Sequence, residues 1–499
     1  MRTKARCLIF CTGNRLKIRS FYITIEEKGK KAEYLFCRQE GIRLNTTDEK
    51  IMGTEKISRL MLSMAVPSVI AQVINILYNI VDRIYIGHIS GVGAAALTGV
   101  GLTFPIITLI SAFSAFVGTG GAPLASIFMG KGDKAHAEKI LGTGVFMLFG
   151  FSIILMTVFY IFQKPLLYAF GASDATIGYA LDYLSIYLGG TVFVQLALGL
   201  NPFIIAQGRS RTAMMSIVIG AVINIVLDPV FIFVFHMGVK GAAIATVLSQ
   251  IVSAAWNVKA LMGKDASLRI KVSCIRPDFP TAGKIFSLGI SPFIMRSTES
   301  LISIVLNHQL QKFGGDLYVG SITIMQSVMQ LFSAPLSGFT QGVQPIVSYN
   351  FGAGRFDRVR TTYRYMIGGS FLISLATASS AILFPELYAG MFTSDQELIA
   401  LVGRVMPTFM AGMLIFGLQN GIQPTFLGLG QAKISLFIAL LRKVILLVPL
   451  ALILPNFFGV RGVYYAEPIA DTSSALIASL LFVFNIKKIL TTENLKKIR

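Results

Sequence analysis

The stretch from Met61 to Asp82 reads MLSMAVPSVIAQVINILYNIVD, and no charge interrupts it before the final aspartate. A helix needs about 20 mostly apolar residues to cross the hydrocarbon of a bilayer, so this segment predicts a membrane helix near residues 61–88. It is not uniformly apolar. At roughly 100° per residue, Gln72, Asn75, Asn79 and Asp82 fall within an arc of about 80°. Packing uses an amide or two as glue between helices. A carboxylate that closes an amide stripe points instead to a face lined by water, an ion or a substrate. Arg83 points away from that stripe, toward an interface that its long side chain reaches by snorkelling.

The same character recurs along the chain. Apolar runs follow near 94–128, 140–163, 178–207, 212–236 and 241–262. Beyond a polar, basic stretch from Lys264 to Lys284 they resume near 286–312, 317–351, 362–384, 398–428, 432–454 and 460–484. The expectation is an all-α membrane protein of about twelve transmembrane helices. A closed barrel is the other architecture that can span, and these runs are too long and too continuously apolar for it. Composition agrees: of 499 residues 54 % are hydrophobic and 14 % charged, against about 25 % charged in an ordinary globular chain. Such a chain cannot cover itself in water, which excludes a soluble enzyme, a disordered scaffold and a secreted disulfide module. Four cysteines, three of them in the first 40 residues, show no metal or disulfide spacing. Gly130-Lys131-Gly132-Asp133 lacks the phosphate-loop spacing. No enzymatic activity and no cofactor are expected.

The net charge of +20, from 44 Lys and Arg against 24 Asp and Glu, is scattered between apolar blocks rather than clustered for nucleic acid. One side collects Lys131, Lys134, Lys139, Arg209, Arg211, Lys259, Lys264, Arg269, Lys271, Arg276, Arg355, Arg358, Arg360, Lys487 and Lys488; the other has little beyond Lys164, Lys240, Lys312 and Arg461. By the positive-inside rule, this predicts a multi-pass protein of the cell membrane with both termini cytoplasmic. Residues 1–51 differ in character. They are basic and polar, without periodicity, and read as a disordered tail or as a mis-called start ahead of Met52; they are set outside the fold.

Punctuation repeats at long range. Pro123 and Gly130-x-Gly132 recur as Pro345 and Gly352-x-Gly354, each 222 positions on; Asn201-Pro202 and Gly208 recur as Gln423-Pro424 and Gly430 at the same offset. Gly238-Val239-Lys240-Gly241 recurs as Gly459-Val460-Arg461-Gly462 at 221. Six spans per half insert both halves with the same orientation, a parallel repeat with a central cavity between them, as in carriers that rock between two access states. The expected organisation is an N-terminal six-helix bundle over 52–263, a cytoplasmic linker over 264–284, a C-terminal bundle over 285–486 and a basic tail over 487–499.

Polar groups inside such spans are costly and mark function. Asn224 and Asp228 stand one turn apart on one face, with Pro229 next. Proline bends the helix and leaves the Ile225 carbonyl without its usual donor. A carboxylate, an amide oxygen and a freed carbonyl make a hard-oxygen environment suited to a proton or small cation. The positions matching Asp82 and Asp228 in the second half are not acidic, so ion binding is expected in the first bundle. In the second half, Glu299 serves either a pair with Arg296 or the cavity. Glu467 and Asp471, one turn apart, are secondary candidates. Gln326, Gln330, Ser333 and Ser337 share a face beside Met325 and Met329, whose soft side chains suit varied ligands. The substrate cavity is therefore expected to draw on Gln72, Asn75, Asn79, Glu299, Gln326, Gln330 and Met329.

The run Tyr78-Asn79-Ile80-Val81-Asp82-Arg83-Ile84-Tyr85-Ile86-Gly87, the Gly130-x-Gly132-Asp133 loop and Asn224-x-x-x-Asp228-Pro229 resemble the multidrug and toxic compound extrusion (MATE) family, in its prokaryotic MepA-like and DinF-like branch, over about residues 52–490. The resemblance implies two six-helix bundles and a monomeric, secondary active exporter of small amphipathic, often cationic compounds, by H⁺ or Na⁺ antiport. It implies ion coupling at Asp82, Asn224 and Asp228, joined by Tyr183, Asn201 and Thr246; with Na⁺ as the ion, Asp82, Asn224, Asp228 and Thr246 would be its ligands. Glu299 loosely matches the seventh-span acid of the NorM-like branch. The alternative is a flippase of lipids or lipid-linked oligosaccharides with related architecture, which would line its cavity with many Arg and Lys. These spans largely lack them. A prenyl transferase would need paired aspartates for a metal diphosphate, and no DDxxD-type cluster is present.

Overall fold

The computed structural model describes the backbone of residues 2–12, 15–27, 30–36, 48–89 and 92–497, and the side chains of 51–495 except 90, 91, 94, 300 and 316. Residues 37–47 of the N-terminal extension and 498–499 of the basic tail lie outside the described residues. Arg2–Thr12 (β1), Arg15–Glu27 (β2) and Lys30–Phe36 (β3) pair antiparallel in the order β1-β2-β3. This departs from the reading of residues 1–51 as without periodicity. The β2 stretch RLKIRSFYITIEE is rich in the β-branched and aromatic types that suit a pleated strand. The sheet is a unit by itself, and the helical body is another, starting at Asp48.

The body is helical throughout. A short α1 (Asp48–Thr54) leads into α2 (Ile57–Gly87), α3 (Gly93–Gly130), α4 (Lys134–Ala169), α5 (Ile177–Gly189), α6 (Thr191–Ala206), α7 (Ser210–Pro229) and α8 (Gly238–Met262). The second half holds α9 (Phe279–Gly314), α10 (Asp316–Gly352), α11 (Phe356–Leu383), the short α12 (Pro385–Gly390), α13 (Gln396–Met410), α14 (Met413–Gly428), α15 (Ala432–Leu440), α16 (Val448–Phe458) and α17 (Val460–Ile489), with α18 (Thr492–Lys497) after it. Among the described residues nine helices are long and apolar enough to span, and counting α5/α6 and α13/α14 as bent spans raises this to eleven. The 36-residue α9 completes the expected twelve. It begins inside the stretch read as linker, because Asp278 caps it by accepting from the Thr281 amide at 3.2 Å.

The repeat is built into the backbone. Gly132 and Gly354 end α3 and α10 at φ of 79° and 69°; Gly208 and Gly430 follow α6 and α14 at 82° and 72°; Gly238 and Gly459 take 56° and 58°. Only glycine adopts this region without strain, so the turn chemistry recurs with the sequence offset. The bends recur too: 61° at Gly190 between α5 and α6, and 45° beside Gly412 between α13 and α14. Wider π-type turns interrupt both fifth-helix positions, over Val230–Val234 after Pro229 and over Leu441–Leu447 before Pro449.

Packing is uneven along the membrane normal. One apolar core joins the two halves at the end that carries the basic loops, through Leu60, Met64, Ile127, Ile285, Val343 and Ile346 among others. Toward the opposite end each half has a core of its own, around Ile106, Leu184 and Ile232 in the first and Leu306, Met406 and Val463 in the second. Beyond the basic end the buried apolar cores of the two halves are distinct.

Candidate ion site and substrate cavity

The first half gathers its polar residues between α2, α5, α7 and α8. Asn224 and Asp228 lie one turn apart on α7, both buried, Asp228 with no exposed surface. The Asn224 Nδ2 group donates to Asp228 Oδ1 at 3.2 Å and to Thr246 Oγ1 of α8 at 3.4 Å. From α2, the Asp82 carboxyl faces that of Asp228 within hydrogen-bonding reach. Tyr183 of α5 reaches Thr246 and stacks on Tyr187, with ring centroids 6.4 Å apart. The arrangement leaves Asp82 Oδ1, Asp228 Oδ2 and Asn224 Oδ1 buried with no hydrogen-bond donor. Buried acceptors are normally satisfied, and these three come together in one corner.

Five of the six residues expected at the ion site thus meet: Asp82, Tyr183, Asn224, Asp228 and Thr246. Asn201 does not. Its Nδ2 donates to the Ala213 carbonyl at 2.9 Å, and Ala213 precedes Asp228 by 15 positions on α7, about 22 Å along the helix. An amide in an apolar span needs a partner, and Asn201 finds it by tying α6 to the far end of α7.

A cavity of about 440 Å³ is lined mainly by the second half, with Gln72 and Ile76 of α2 in its wall. Gln72, Glu299, Gln326, Met329 and Gln330 line it, as expected, with Ser333 and Ser337. Gln72 donates to Gln341 at 3.0 Å, and Ser303 to Gln326 at 3.5 Å. Asn75 and Asn79 are not in its wall; Asn79 folds back to donate to the Asn75 carbonyl at 2.5 Å. The helical stripe was real, but only its Gln72 end turns toward the cavity.

The wall also carries Arg296, Arg442, Lys443 and Glu467, which corrects the reading that these spans largely lack cations. Arg442 donates from Nε to Asp471 at 2.5 Å and from Nη2 to Glu467 at 3.3 Å, and its guanidinium stands 4.1 Å from the Phe416 ring centroid. Lys443 pairs with Glu299 at 3.3 Å. Glu299 is therefore bound to Lys443 across the cavity rather than closed on Arg296 along its own helix. Arg442-Lys443 interrupts the apolar run 432–454, and that interruption was the signal available in the sequence.

The MatE family model matches residues 67–230 and 293–453, one segment in each half. The chain belongs to the MatE family. Among curated relatives, the multidrug export protein MepA of Staphylococcus haemolyticus is 25 % identical over 457 residues, 89 % of this chain and 98 % of that protein. MepA of Staphylococcus aureus is 25 % identical over 452 residues, with the same coverage. Among solved structures, an outward-facing multidrug resistance MATE family transporter superposes with TM-score 0.84 at 24 % identity, over 90 % of this chain and 100 % of that one. A Pyrococcus furiosus transporter of the MOP superfamily, described as having a binding pocket of reverse polarity, superposes with TM-score 0.81 at 25 % identity, over 90 % and 100 %. This MatE chain thus shares the twelve-helix, two-bundle fold of transporters.

Proposed function

We propose that this MatE protein is a secondary active multidrug exporter of the cell membrane, driven by antiport of H⁺ or Na⁺. The observation that carries the coupling is the set of orphaned acceptors, Asp82 Oδ1, Asp228 Oδ2 and Asn224 Oδ1. Two facing carboxyls in low dielectric repel unless a proton or cation sits between them. An ion taken up from outside satisfies these oxygens and draws α2 onto α7. Release to the cytoplasm restores the repulsion and lets the helices part. Each inward charge contributes about 2.3 kcal/mol per 100 mV, roughly a fiftyfold bias.

Alternating access fits the packing. A shared core at the basic end, with separate cores beyond it, is the arrangement of a carrier open on the side away from the basic loops. The names of the MepA relatives agree with drug export. The flippase reading calls for a strongly cationic cavity, whereas two of the three cations here are held by carboxylates.

Uptake of a fluorescent dye into everted vesicles, with pH and sodium gradients imposed separately, tests the proposal and identifies the ion. Dye movement that responds to neither gradient would remove antiport.

A further inference from the structure

Three cations and two carboxylates face this cavity, Arg296, Arg442 and Lys443 with Glu299 and Glu467, and Asp471 behind Arg442 is a third acid, so the charges balance in number but not in pairing. Two of the cations are spoken for. Arg442 is gripped by Asp471 and Glu467, and Lys443 by Glu299. Arg296 lies at the wall one turn beyond Pro292, exposed to the cavity, and among the described side chains it has no acid within the 4.0 Å of an ion pair. Glu299, three positions on, already holds Lys443. A guanidinium at membrane depth is expensive unless it meets an opposite charge. Its five donors form a planar fork that matches a carboxylate in two parallel hydrogen bonds. The surrounding wall mixes Gln326 and Gln330 with Met329, Phe409 and Met413, a lining that holds the rest of an amphipathic molecule by apolar contact and a few placed amides.

We infer that Arg296 is the recognition group for a carboxylate on the exported compound, so that the cavity prefers amphipathic acids and zwitterions over simple cations. This rests on the export reading and narrows it, because the family resemblance implies amphipathic, often cationic substrates. A purely cationic molecule would bring no anion to Arg296, which has none within ion-pair distance among the described side chains. A zwitterion supplies the missing anion and keeps its apolar body against the methionines and phenylalanines.

The test pairs rhodamine B, which has a free carboxylate, with its ethyl ester, which shares the xanthylium core. Binding to purified full-length protein is followed by fluorescence polarisation, and efflux by dye movement in everted vesicles. Wild-type protein should bind the acid about tenfold or more tightly than the ester, the margin of a charge-assisted bidentate pair. Arg296→Gln should bring the two dyes within about twofold of each other, and Arg296→Lys should retain part of the preference, since a point charge lacks the fork. Wild-type protein without preference, or R296Q protein that keeps it, overturns the assignment. Equal loss of both dyes in R296Q also overturns it, because that marks a structural role. Everted vesicles that accumulate neither dye, while the purified wild-type protein prefers the acid, refute export and uphold the recognition site.

Discussion

Gly130 and Gly352 each lie on the other half's backbone: a Cβ at Gly130 would collide with the Tyr349 carbonyl, and one at Gly352 with the Ile127 carbonyl. The two contacts exchange under the 222-residue offset, since Ile127 corresponds to Tyr349 as Gly130 does to Gly352. Gly120 against Ile285 and Gly342 against Met64 repeat the relation deeper in the seam. Small residues at helix crossings let backbones approach closely within a membrane. The pseudo-twofold axis therefore passes through a seam that only glycine can close. Gly352→Val should wedge it open, at a cost of about 1–3 kcal/mol from overpacking. A single cysteine at Ser348, in protein otherwise free of cysteine, should react faster with a water-soluble maleimide when Gly352→Val is added. Unchanged labelling would show that the seam does not depend on this approach.

The carboxyl pair gives the next prediction. Asp82→Asn or Asp228→Asn replaces one of two facing acids with an amide that donates to the other, so the site is satisfied without an ion. Each variant should reach the membrane at wild-type abundance, and each should lower drug resistance in an exporter-deficient host to that of the empty host. Drug binding to the purified variants should survive, because neither residue lines the cavity. Full resistance in either variant would remove that residue from coupling.

The twelve spans, the repeat and the pairing of Asn224 with Asp228 were legible because hydropathy, glycine turns and one-turn spacing are local signals, while the meeting of Asp82 with Asp228 followed only from the family resemblance. Partners across helices were not. Asn201 carries the residue type the resemblance asks for, yet which carbonyl it meets depends on the crossing of α6 and α7. The stripe from Gln72 to Asp82 is continuous on a helical wheel, but α2 leaves the cavity after Gln72 and reaches α7 at Asp82, so one stripe serves two sites. Arg442 and Lys443 were passed over because a twenty-residue hydropathy average absorbs two charges. Their meaning appears only when Asp471, Glu467 and Glu299 come round from α17 and α9.

That network has a stability consequence. Arg442, with a side chain only 5 % exposed, holds two carboxylates that are themselves 1 % and 5 % exposed. Arg442→Met leaves both buried acids without their cation and should cost about 3–5 kcal/mol. The triple variant Arg442→Met, Glu467→Gln, Asp471→Asn removes the stranded charges and should recover most of that loss. Melting of the purified proteins in detergent, read by loss of a monodisperse peak after heating, checks the order. A triple variant less stable than R442M would mean that the acids have other partners.

Outside the membrane, the linker is clamped to the first half by two ion pairs, Lys139 with Asp278 and Lys271 with Glu138, the latter at 2.5 Å. The hydrogen bond from Lys139 holds the Asp278 carboxyl below the usual carboxylate range. A depressed folded-state value means that the stabilisation is complete above the unfolded carboxylate's pKa of about 3.9 and is lost as pH falls through the lower folded value. Asp278→Asn keeps an acceptor for the Thr281 amide and removes only the charge. Its melting temperature should lie below wild type by a constant margin from pH 8 down to about 5, with the margin shrinking as pH drops below about 4. Asp278→Ala loses the helix cap as well and should fall by about 1 kcal/mol more. A D278N margin that persists at low pH would show that the side chain acts through its shape rather than its charge.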